Sequence, residues 1–167
     1  IQLAIAIDVN HLFSRGQSGQ SGYIETVGTV RSLVESGSLV RNQDWLAAYL
    51  LQGETLLPPV QDWTQEPNLI FNNIVGNRPP EIVETPLDAA ALSALFAQFA
   101  EAPTADLPKT LLLFTTGAPL AAVEALIAQA QSQTITIHVV ALRNGPEATA
   151  ADDPLQQLAT ATGGQYI

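Results

Sequence analysis

Three short stretches hold the side chains with chemistry to offer: Asp8-Val9-Asn10-His11, Glu84-Thr85 and Thr115-Thr116-Gly117. A carboxylate, an amide and two or three hydroxyls facing one another present hard oxygen donors, which suit a divalent cation such as Mg²⁺. Asp8, Asn10 and Thr85 are candidate ligand-binding residues in these stretches. His11 and Thr116 complete the set of candidate ligand-binding residues. Charge argues against tight binding, because carboxylates and well-placed oxygens are what offset the hydration a dication gives up. Only Asp8 is an assured anion here. The expectation is therefore no resident metal and no cofactor, with at most weak Mg²⁺ or Ca²⁺ binding. Each residue also has an ordinary structural use. Asp8 accepts from loop amides, Asn10 closes an Asx-turn, Thr85 caps a helix and Thr116 satisfies a turn.

Other chemistries lack their residues. The chain has no Cys, which removes disulfides, thiolate nucleophiles and zinc-thiolate sites together. There is no Gly-x-Ser-x-Gly and no His-Glu-x-x-His. Gly16, Gly19 and Gly22, in a repeated Gly-Gln-Ser stretch, match neither the dinucleotide fingerprint nor a phosphate loop, and read as a connector. Asp8-x-Asn10 lacks the second carboxylate that an aspartyl-phosphate hydrolase needs as general acid. Lys109, the one lysine, precedes its strand, whereas a phospho-receiver domain needs a lysine after a late strand. His138 sits in an apolar strand and reads as a satisfied sheet residue. Catalysis has no candidate residue.

The elements that must position these loops follow from apolar patterning. Ile1 to Asp8 is a continuous apolar run, short enough to be a strand buried on both faces. Tyr23, Val27, Val30 and Val34 recur at helical spacing, and Gly37 stops that helix. Trp45 to Leu51 and Glu54 to Val60 predict two strands joined so tightly at Gln52-Gly53 that they pair antiparallel. Leu69 to Val75 predicts a short helix or ordered loop. Thr85-Pro86-Leu87-Asp88 predicts a helix start with Thr85 as its cap, and Leu111 to Phe114 the next strand. Pro119 is expected to open the following helix and Ile135 to Leu142 the following strand. Asp153-Pro154 caps a last helix, Gly163-Gly164 ends it, and Gln165 to Ile167 forms a short final strand.

That order predicts an α/β three-layer sandwich, a mostly parallel central sheet with one antiparallel edge strand and helices on both faces. At 167 residues, 47% hydrophobic and 13% charged, the chain reads as a single domain spanning residues 1–167. It begins inside an apolar run without an initiator Met, and is expected to be excised from a longer chain. The formal net charge of −10 disfavours nucleic acid as a partner. No apolar stretch approaches the roughly 20 residues of a membrane helix, so this segment is not expected to insert.

The whole pattern resembles the von Willebrand factor type A (vWA, integrin I-like) domain. The resemblance rests on the apolar strand ending in Asp8, the hairpin Trp45 to Val60, Thr85-Pro86-Leu87 before an Ala/Leu-rich helix, Leu-Leu-Leu-Phe-Thr-Thr-Gly at 111–117, and the ending at 155–167 with its Gly-Gly turn. It implies a Rossmann-like sheet and, at its upper edge, a metal-ion-dependent adhesion site of pattern Asp-x-Ser-x-Ser with a distant Thr and a distant Asp. Carried over, Asp8 and Thr85 match. Asn10 stands for the first Ser, Leu12 for the second and Thr116 for the distant Asp. Leu12 ligates nothing and Thr116 removes a carboxylate, so the implied site is degenerate. The resemblance implies a non-catalytic domain that binds a protein partner, and the departures from the motif imply binding without a bridging metal, any ion drawing on Asp8, Asn10 and Thr85. The alternatives are an adhesion module using a partial Mg²⁺ or Ca²⁺ site, and a small flavodoxin-like enzyme or nucleotide binder.

Overall fold

The computed structural model describes residues 1–9, 22–77, 85–115, 120–142 and 153–167. In chain order its elements are β1 (Gln2–Asp8), α1 (Gly22–Glu35), β2 (Trp45–Gln52), β3 (Thr55–Leu56), β4 (Gln61–Thr64), α2 (Pro67–Gly76), α3 (Ala89–Gln98), β5 (Lys109–Thr115), α4 (Val123–Ser132), β6 (Ile135–Ala141) and α5 (Pro154–Ala161). The sheet order is β3-β2-β1-β5-β6, with β4 also on β2. β2, β1, β5 and β6 run parallel to one another, while β3 and β4 run antiparallel to β2. This is the expected α/β sandwich with an antiparallel edge.

Every residue of β1 is buried, as its uninterrupted apolar run requires of a central strand with both faces covered. Strand pleating sends Ala4 and Ala6 to one face and Leu3, Ile5 and Ile7 to the other. The first face packs against Leu92, Leu95 and Phe96 of α3, Leu126 and Ala130 of α4, and Leu155 and Leu158 of α5. The second packs against Val30 of α1 and Ile70 and Ile74 of α2. Handedness explains the division. The crossover β1–α1–β2 steps one way along the sheet and β5–α4–β6 steps the other, so two right-handed crossovers place their helices on opposite faces. Strand order therefore reverses between β1 and β5, and their carboxyl ends flank the crevice where such sheets bind ligands.

Three local expectations need correction. Of the return strand expected over Glu54 to Val60 only Thr55–Leu56 (β3) is strand, because Pro58 and Pro59 have no N–H to give the ladder, and antiparallel pairing resumes beyond its expected end in β4 (Gln61–Thr64). Leu57 and Val60 still donate to Leu50 and Ala48 on either side of the gap. The helix after Thr85 is capped by Asp88, whose carboxylate accepts from the Ala90 N–H at 2.8 Å. Thr85 is left three residues upstream of that cap. The final segment forms a single parallel bridge, Val139 to Tyr166, rather than a full strand. It is held to β6 by hydrogen bonds through Gln165 and Ile167, and Gly164 permits this, since a Cβ there would come within 1.8 Å of the Ile137 carbonyl oxygen. The Gly-Gln-Ser stretch at 16–21 and the helix opening at Pro119 lie outside the described residues.

Candidate functional site

Asp8 closes β1 on the face that carries Ala4 and Ala6, so its carboxylate projects toward the α3–α4–α5 side at the strand's carboxyl end. The β1–β5 ladder pairs Ile7 with Phe114, which brings Thr115, the last residue of β5, alongside Asp8. The Thr115 hydroxyl donates to Asp8 Oδ2 at 2.9 Å. Both side chains are completely buried. On its other side Asp8 is in register with Leu51 of β2. The one anion the sequence offered for a cation is thus sealed beneath the rim, with one oxygen already bonded to a neighbouring strand.

One strand over, the turn after β2 meets the segment leading into α3. Gly53 has φ +58°, and a Cβ on it would stand 2.8 Å from Thr85 Oγ1. Glycine is required there twice, by the left-handed backbone and by the approach of the threonine. The Asp88 N–H donates to the Gly53 carbonyl at 3.0 Å, tying the two segments together. Between them opens a cleft of 430 Å³ lined by Gln52, Glu54, Thr55, Thr85 and Asp88, among others. Its wall carries two carboxylates, two hydroxyls and an amide, a surface of hydrogen-bonding groups on the same rim as Asp8.

Of the residues singled out from the sequence, the structure brings Asp8 and Thr85 to the carboxyl ends of adjacent strands. Asp8 is buried and Thr85 is exposed. Asn10, His11 and Thr116 lie outside the described residues, as does Glu84. Thr115, which the sequence offers only as part of the Thr115-Thr116-Gly117 stretch, is the residue that the β1–β5 register sets beside Asp8. The Gly53–Thr85 contact had no signal beyond the Gln52-Gly53 turn itself. His138 is satisfied, its Nδ1 accepting from the Gln165 N–H at 3.2 Å. Lys109 begins β5, at the opposite end of the sheet from Asp8. Burial, reinforced by the Asp62 charge, pushes the Tyr49 phenol well above its ordinary range. Among the described residues no group of three His, Cys, Asp or Glu is placed to hold a metal ion. None of the described helices is long and apolar enough to cross a membrane.

No protein-family model and no curated protein matches the sequence. Solved structures do match in shape. An aerotolerance-related membrane protein from Bacteroides fragilis NCTC 9343, with multiple mutations to serines, superposes with a TM-score of 0.75 at 15% identity, covering 100% of this chain and 90% of that one. The conserved hypothetical protein BatB from Bacteroides thetaiotaomicron gives 0.71 at 16% identity, over 100% of this chain and 89% of its own. The VWA domain of SpRpn10 gives 0.68 at 10% identity, covering 99% and 86%. The fold is that of a von Willebrand factor type A domain.

Proposed function

We propose that this vWA-like domain is a non-catalytic protein-interaction module whose partner docks on the loops and cleft at the sheet's carboxyl rim, without a bridging metal. The observation that carries this reading is the Asp8–Thr115 pair. A carboxylate that is fully buried and already accepts from a threonine hydroxyl is poorly placed to strip water from a dication. The donor set does not fit a tightly held ion either. Leu12 stands where the adhesion motif has an oxygen, and Thr116 stands where it has a carboxylate. What the rim does offer is the exposed hydrogen-bonding wall around Thr85, suited to a polar protein surface. The fold similarity to the SpRpn10 VWA domain points the same way.

The retention of both Asp8 and Thr85 on one rim favours a second reading, an adhesion module in which Mg²⁺ or Ca²⁺ joins these residues to a carboxylate from the partner. One experiment separates the two. The domain and its Thr85→Arg variant are used to capture partners from the source cell, in EDTA and in Mg²⁺. Partners retained equally in both buffers and lost from Thr85→Arg support metal-free docking at the rim. Retention that vanishes in EDTA supports the adhesion module, and retention indifferent to Thr85→Arg moves the docking surface elsewhere.

A further inference from the structure

We draw no further inference here: the strongest candidate, the cleft at the tip of the β2–β3 turn where Glu54 and Asp88 stand beside Thr85, belongs to the site already described, and nothing beyond its two carboxylates points to a particular ligand.

Discussion

A carboxylate removed from water needs donors close by, and the Thr115 hydroxyl is one of those on which Asp8 relies. Removing that donor leaves the charge buried with less to offset its lost hydration. Thr115→Val, which keeps the shape and deletes the hydroxyl, is expected to destabilise the domain by about 1–3 kcal/mol. Urea unfolding that shows an unchanged midpoint would mean the pair contributes nothing. Tyr49 makes a second prediction at this scale. Burial and the Asp62 charge hold its proton on in the folded state to a higher pH than in the unfolded chain, where a phenol ionises near about pH 10. Between those two points the folded state binds more protons, so stability is full below about pH 10 and falls as pH rises past it. Tyr49→Phe should flatten that alkaline fall, measured as melting temperature against pH.

At the scale of elements, the segment before α3 shows how one stretch of sequence permits two caps. Thr85-Pro86-Leu87-Asp88 has a good N-cap residue at each end, with proline well placed for a helix beginning at residue 86. The tertiary contact decides, because the Asp88 N–H is tied to the Gly53 carbonyl and the Thr85 hydroxyl is packed on Gly53. Asp88→Ala should therefore cost about 1 kcal/mol as a lost cap, and Thr85→Ala distinctly less, by the shift in urea midpoint. The reverse ranking would restore Thr85 as the cap. The same logic separates what could be read beforehand from what could not. β1, β5 and β6 declared themselves through apolar runs too short for buried helices, and α1 through Val27, Val30 and Val34. The interruption of the edge strand was written in Pro58-Pro59 but masked by the apolar Leu56-Leu57 and Val60 around it. Thr115 beside Asp8 was hidden because register between distant strands is set by the packed sheet, not by local pattern.

For the whole molecule, the reversal of strand order between β1 and β5 creates the rim, and the antiparallel turn after β2 extends it. The fold match spans nearly the whole chain at 10 to 16% identity, so the scaffold persists through extensive sequence change. In the proposed function the rim recognises protein surface while Asp8 serves the fold. Calorimetric titration of Mg²⁺ and of Ca²⁺, with melting temperatures of the wild type, Asp8→Asn and Asp8→Ala, tests this most directly. An ion present at 100 times its dissociation constant stabilises a folded domain by about 2.7 kcal/mol, a shift of several degrees at this size. Metal-free docking at the rim gives no saturable heat at millimolar ion and the same small shift in all three proteins. A one-site binding heat, with a rise in melting temperature that disappears in the Asp8 variants, would contradict it.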